Sequence, residues 1–167
     1  MTLTKKLLLG AAIVGMPFAM NANVAHAADA TGNATAEIVA AITLVETTPM
    51  DFAEIVTDNA ADDVTLSPAG AITNTGGSTF QGTPVAGLFD ATGNANAAAT
   101  ITFSSGDQLT GPGAAMDLDT FTHDAGGTPA FDGAGALSFN VGATLGVNAT
   151  QTAGTYTGTY TVSVNYQ

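Results

Sequence analysis

Hydrophobic and polar residues alternate along most of the chain, and this alternation predicts β-strands. The first clear run has small or apolar side chains on every second position, at Ala36, Ile38, Ala40, Ile42 and Leu44. This period-2 pattern is typical of a strand with one apolar face, and the β-branched residues within the run favour a strand over a short helix. Further runs of strand character cover residues 50–56, 64–66, 85–89, 100–103, 116–121, 137–145 and 155–166.

Turn-forming residues separate nearly all of these runs. Clusters of Gly and Asn, such as 74–77, 93–94, 111–113 and 126–127, lie between them, and no segment has a helical period. About eight short strands with Gly-rich turns predict an all-β fold, either a sandwich or a barrel.

The N-terminus has the features of a secretory signal peptide. Lys5 and Lys6 precede an apolar run over residues 7–20, and the small-residue site Ala25-His26-Ala27 follows. We expect cleavage after Ala27, so that residues 1–27 are the signal peptide. The apolar run is shorter than the roughly 20 residues of a membrane span. The mature protein is therefore expected to have no transmembrane segment and to reside in the periplasm, on the outer-membrane surface or outside the cell.

The mature chain is expected to form a single domain. Residues 28–35 are small and polar, which predicts a flexible leader, and residues 36–167 then form one β-sandwich domain. Within that domain, residues 36–45 are either its first strand or a strand donated to another molecule.

Cleavage also removes every basic side chain. The only two Lys or Arg residues lie in the signal peptide and all 14 acidic residues follow it, so removing two positive charges takes the formal net charge from -12 to -14. Nucleic acids and anionic membrane surfaces are therefore excluded as partners, because binding to them depends on cationic side chains. The chain has 0 Cys, which excludes disulfides and thiolate metal sites. No cofactor is expected.

The residues available for catalysis are few. His123 is the only histidine after the signal peptide, and we expect it in a loop beside Asp124. No nucleophile-elbow sequence surrounds any serine. Asp117 and Asp119 share one face of a predicted strand, the arrangement of a glycosidase pair, but a solvated strand face is the interpretation we favour. Asp62 and Asp63 predict a turn, and no EF-hand spacing supports a calcium site. The sequence predicts that the protein is not an enzyme.

The C-terminus alternates over its whole length. One face carries Tyr156, Gly158, Tyr160, Val162, Val164 and Tyr166, Gly154 is fourteenth from the end, and Tyr166 is penultimate. This combination resembles the C-terminal signature of chaperone-usher pilus subunits. The stretches AEIVAAITLVETTPMDFAEIV, VTLSPAG and LSFNVGATLGVNATQTAGTYTGTYTVSVNY also resemble the bacterial DUF4402 family, which is exported and of unknown function, and more loosely spore-coat-U-like domains.

The pilus resemblance implies an Ig-like, pilin-like antiparallel β-sandwich and a mode of assembly. In such subunits the sandwich lacks a strand, a periplasmic chaperone fills the gap, and the N-terminal extension of a neighbouring subunit replaces the chaperone at an outer-membrane usher. Carried over to this chain, the strand bordering the gap contains Gly154, Tyr156, Tyr160, Val162, Val164 and Tyr166. The donated face is Ala36, Ile38, Ala40, Ile42 and Leu44, although the same residues fit the first strand of a self-contained domain equally well.

Two functions from different classes follow. The first is an exported structural protein, a pilin-like surface subunit that associates with itself or with other pilin-like subunits by β-strand complementation. The alternative is a monomeric secreted β-sandwich module that binds a glycan or Ca²⁺.

Overall fold

The computed structural model describes residues 27–167. The predicted signal peptide lies outside the described residues, apart from Ala27. Residues 27–36 are exposed and have no regular structure, and Glu37–Gln167 form a separate compact unit. Every regular element among the described residues is a β-strand and every strand pair is antiparallel. The predicted all-β antiparallel class is confirmed.

The strands are mostly short. In chain order they are β1 (Thr43–Thr48), β2 (Glu54–Val56), β3 (Asp62–Leu66), β4 (Ile72–Asn74), β5 (Thr79–Gln81), β6 (Gly87–Thr92), β7 (Ala99–Phe103), β8 (Asp107–Leu109), β9 (Met116–His123), β10 (Ala136–Val147) and β11 (Val162–Tyr166).

The 12-residue strand β10 organises a seven-stranded sheet. One edge of β10 pairs first with β6 and then with β3, and the opposite edge pairs with β9. Strands β1, β4 and β8 extend the sheet from β6, β3 and β9. Gly142 lies where β10 passes from β6 to β3, and a Cβ there would collide with the carbonyl oxygen of Leu66. Only glycine allows this close backbone contact.

The core has two clusters, and the alternation of β10 supplies both. Leu137, Phe139 and Val141 belong to the cluster that β11 covers together with β7, and Ala143, Leu145 and Val147 belong to the cluster that β2 covers together with β5. All six side chains lie on one face of β10 because strand side chains alternate. We name the former the β11 cluster and the latter the β2 cluster.

A closed ring of aromatic side chains lies where the two clusters meet. Neighbouring ring centroids are 5.1 to 6.2 Å apart, distances at which such pairs stabilise a core by about 0.5–1.5 kcal/mol each. Its members, in order around the ring, are Phe103, Phe121, Tyr160, Phe89, Phe139 and His123.

Candidate functional site

An open groove crosses the surface of the β2 cluster. Its walls are residues 50–57 and residues 151–158, and no strand pairing joins these two segments within the described part of the chain. The groove has a volume of about 850 Å³. Its floor consists of core side chains no more than 5% exposed, namely Met116, Leu118, Leu145 and Val147.

The first wall presents an unpaired strand edge. Strand β2 pairs on one side with β5, with Ile55 opposite Phe80, and no other described strand pairs with it. Just before it, the backbone N–H of Ala53 donates a hydrogen bond of 2.8 Å to the Asp51 carboxylate, and Ala53 has a φ of 58°. This left-handed conformation is costly for alanine, and it accompanies the burial of Phe52 beneath the wall.

The second wall is bonded to the residue that follows β8. Thr157 exchanges backbone hydrogen bonds of 2.8 and 2.9 Å with Thr110. In an antiparallel pair, the residues that flank such a position direct their N–H and C=O groups to the other side, so Tyr156 and Gly158 direct theirs away from Thr110. The Tyr156 hydroxyl also accepts a bond from the N–H of Gly113 at 2.9 Å, which fixes this wall. Both walls therefore carry unpaired backbone edges.

The predicted C-terminal edge residues divide between two environments. Gly154, Tyr156 and Tyr160 line the groove, as does Gly158. Val162, Val164 and Tyr166 pack instead against the β11 cluster, and β11 pairs on one edge with β7. Gly154 adopts a φ of 147°, a conformation that side chains rarely adopt, so it forms a bend and not a strand position.

The predicted donor residues are divided as well. Ile42 and Leu44 pack against the β11 cluster of their own chain, and β1 pairs with β6 of the same chain. Ala36, Ile38 and Ala40 are exposed, Ile38 to 94%. The strand therefore begins at Thr43, where its partner β6 ends at Thr92, and not at Ala36 as the alternation predicted.

Tyr166 holds the chain just before β1. Its hydroxyl donates a hydrogen bond of 2.9 Å to the Ala40 carbonyl and accepts one of 2.7 Å from the Asn94 N–H. The Asn94 side-chain oxygen in turn accepts a hydrogen bond of 2.8 Å from the Ala40 N–H. The penultimate tyrosine thus anchors the point at which the exposed N-terminal segment leaves the folded unit.

A family model for a domain of unknown function, DUF4402, matches residues 42–166. The chain belongs to the DUF4402 family. The match covers β1 to β11 and both walls of the groove, and residues 28–41 precede it. No curated protein and no solved structure matches the chain. The resemblance to chaperone-usher subunits stays a prediction.

Packing, hydrogen bonds or exposure to solvent account for the titratable side chains of this DUF4402 domain. Burial raises the pKa of Tyr160 above its ordinary value, and the nearby Glu46 carboxylate raises it further, so this groove residue stays protonated. His123, predicted in a loop, is the last residue of β9 and packs in the aromatic ring. Asp117 and Asp119 lie on the exposed face of β9, as predicted, and Asp117 accepts a bond from Gln108.

The structural position of Asp62 differs most from the one predicted from the sequence. This residue was predicted in a turn, but it is the first residue of β3 and is buried. Its carboxylate accepts hydrogen bonds from the loop at residues 74–78. Among residues 27–167 no group of three or more His, Asp or Glu side chains is placed to hold a metal ion. The same residues contain no helix long and apolar enough to cross a membrane.

Proposed function

We propose that this protein is an exported structural subunit that assembles by β-strand complementation. In this mode a segment of one molecule enters the groove of another as an additional strand. The observation that carries the proposal is the groove itself, because it lies over buried core residues and between two unpaired backbone edges.

An added strand would form hydrogen bonds with the unpaired backbone groups of such a groove. Each unpaired N–H and C=O on a strand edge is a template for pairing with another chain, and the side chains of an added strand alternate between the floor and the solvent. The exposed segment before β1 supplies a candidate strand, since Ile38 and Val39 are 94% and 51% exposed. Other copies of the chain, or other pilin-like subunits, are therefore the proposed partners, and a periplasmic chaperone and an outer-membrane usher fit the same mode.

The charge of the chain is compatible with strand complementation and argues against nucleic acid as a partner. Residues 27–167 contain 14 acidic residues and no Lys or Arg. Backbone pairing in a groove requires no cationic side chain, whereas binding to nucleic acid does.

The test compares the mature chain with a variant that lacks residues 29–39. The deletion stops before Ala40 because Ala40 is bonded to Asn94 and Tyr166, and a deletion extending to Val45 would remove half of β1 as well. We expect oligomers or fibres from the complete chain and monomers from the variant, by light scattering and electron microscopy. Unfolding curves should be similar, because the deleted residues lie outside the core.

Polymers that persist after the deletion would refute the proposal. A complete chain that stays monomeric under all conditions would also refute it, and would favour a monomeric binding module. A groove of about 850 Å³ is within the size range of small-molecule sites, so glycan binding would then be the next measurement.

A further inference from the structure

The segment that precedes the folded unit has a strand pattern of its own. From residue 28 to residue 38, every second residue is small or apolar and the residues between them are polar. The first set is Ala28, Ala30, Gly32, Ala34, Ala36 and Ile38, and the second set is Asp29, Thr31, Asn33, Thr35 and Glu37. The leader predicted to be flexible would therefore have one narrow, small-residue face if it were extended as a strand.

No strand partner for this segment exists within the described chain. Residues 28–38 are exposed and form no strand, and β1 begins only at Thr43. The segment is therefore available to pair with a second molecule, and such pairing would cover its small-residue face.

The groove matches this segment in length. Eleven extended residues span about 36 Å at the rise of a strand, and the eight-residue walls, which bend at Ala53 and Gly154, span at most about 26 Å. The segment can therefore run the full length of the groove with residues left over at its ends.

The small-residue face of the segment suits the floor of the groove. Its floor is already filled by large side chains, those of Met116, Leu118 and Leu145 among them. An added strand has to lie about 4.8 Å from each wall to form hydrogen bonds with both. Alanine and glycine on its inner face permit that approach, whereas a row of large side chains would hold the backbone away from the floor.

We propose that residues 28–38 of one molecule fill the groove of a second copy, with Ala30, Gly32, Ala34 and Ala36 facing the floor. This inference rests on the proposed function and changes its donor: the inserted strand is shifted towards the N-terminus and shares only Ala36 and Ile38 with the face predicted from the sequence. Ile42 and Leu44 remain in the core of their own molecule, and Asp29 and Glu37 face solvent.

Paired substitutions of equal charge test which face is inserted. Ala34→Asp combined with Ala36→Asp places two carboxylates on the small face, and Asn33→Asp combined with Thr35→Asp places two on the polar face of the same segment. We expect loss of the oligomer for the first pair and assembly like that of the unaltered chain for the second, by light scattering at the same ionic strength. Because the altered positions are all exposed, neither pair should shift the unfolding curve.

A cross-linking experiment tests where the segment lies. The chain contains no Cys, so single-cysteine variants carry one thiol each. Variants with Cys at position 31, 33 or 35 are mixed in turn with Thr155→Cys, at the groove wall, or with Thr102→Cys on β7 as a control. Neighbouring strands place Cα atoms within disulfide range, so we expect a disulfide-linked pair with Thr155→Cys and none with Thr102→Cys.

The outcomes separate this inference from the proposed function. If assembly requires residues 29–39 but both substitution pairs still assemble, or if cross-linking is equal at positions 155 and 102, the inference is wrong and strand complementation stands. If the unaltered chain never assembles, the proposed function fails first. A monomer that loses stability when residues 29–39 are removed would show that the segment pairs within its own molecule, which also overturns the inference.

Discussion

Replacing Asp62 by Asn is expected to destabilise the fold far more than replacing its neighbour Asp63. The Asp62 side chain is 3% exposed and its carboxylate accepts hydrogen bonds from a loop that follows β4. The donors are the backbone N–H groups of Thr75 at 3.1 Å, Gly76 at 2.5 Å and Ser78 at 3.1 Å and the side-chain amide of Asn74 at 2.7 Å. The carboxylate thus holds the loop against β3.

The magnitude follows from the number of donors. An amide at position 62 keeps one oxygen, and its NH₂ group faces at least one N–H of the loop. An unsatisfied buried donor costs about 1–3 kcal/mol, and a hydrogen bond to a charged group contributes about 1.5–3 kcal/mol. We therefore expect Asp62→Asn to lower the free energy of unfolding by about 3 kcal/mol at pH 7.

The effect should depend on pH in a defined direction. Burial raises the pKa of Asp62, but hydrogen bonds from Asn74, Ser78 and Gly76 outweigh burial and lower it from 3.8 to about 2. A depressed pKa in the folded state contributes stability that is complete above the unfolded value of 3.8 and is lost as the pH falls through about 2. The difference between the parent and Asp62→Asn should therefore shrink by about 2 kcal/mol between pH 6 and pH 2.

The measurement is urea unfolding followed by far-ultraviolet circular dichroism at several pH values. Asp63→Asn is the matched control, because Asp63 is the next residue of β3, is exposed, and loses the same charge. We expect the control to change stability by less than about 0.5 kcal/mol. Equal effects of the two substitutions, or an Asp62→Asn effect that does not change with pH, would refute the assigned role of the carboxylate.

Three further predictions concern backbone packing, the N-terminal anchor and charge. Gly142→Ala should destabilise the fold by about 3 kcal/mol or more, because the new Cβ collides with the Leu66 carbonyl, while Gly127→Ala, with no atom within 4 Å, should leave the melting temperature nearly unchanged. Tyr166→Phe should cost about 1–2 kcal/mol and speed proteolysis of the chain before β1, because it removes the hydroxyl bonded to Ala40. Assembly, as proposed, should be weaker at 10 mM than at 150 mM salt by light scattering, because every copy carries the same sign of charge, and an inverse salt dependence would contradict this reasoning.

The sequence predicted the strands that are long enough to show a period. Strands β9 and β10 alternate over many residues and were found, whereas β4, β5 and β8 have only three residues each and were missed. The alternating pattern also began before the observed start of β1. Such a pattern indicates which face a residue would occupy in a strand, but it does not indicate whether a partner strand is present. Residues 27–42 have no strand partner because β6 ends at Thr92.

Only one wall of the candidate groove was predicted from the sequence. Tyr156 and Tyr160 were predicted to border a gap because the C-terminal strand resembles that of chaperone-usher pilus subunits. The opposite wall was missed, since its free edge depends on β2 pairing with β5, which no local pattern reveals. The role of Asp62 was missed for a related reason: its hydrogen-bond donors lie at residues 74–78, and an acidic residue beside a turn resembles a solvated one.

The acidic composition and the open edges are best understood together. Exposed strand edges promote unspecific pairing, and many proteins prevent it with edge lysines. Residues 27–167 have no lysine, so repulsion among 14 carboxylates is the available protection against association of folded molecules. At physiological salt this repulsion acts over only about 8 Å. The repulsion opposes the approach of two charged sheets. It opposes less strongly the approach of a single segment whose inner face is alanine and glycine. The same composition therefore disfavours edge-to-edge aggregation and is compatible with the strand insertion proposed above.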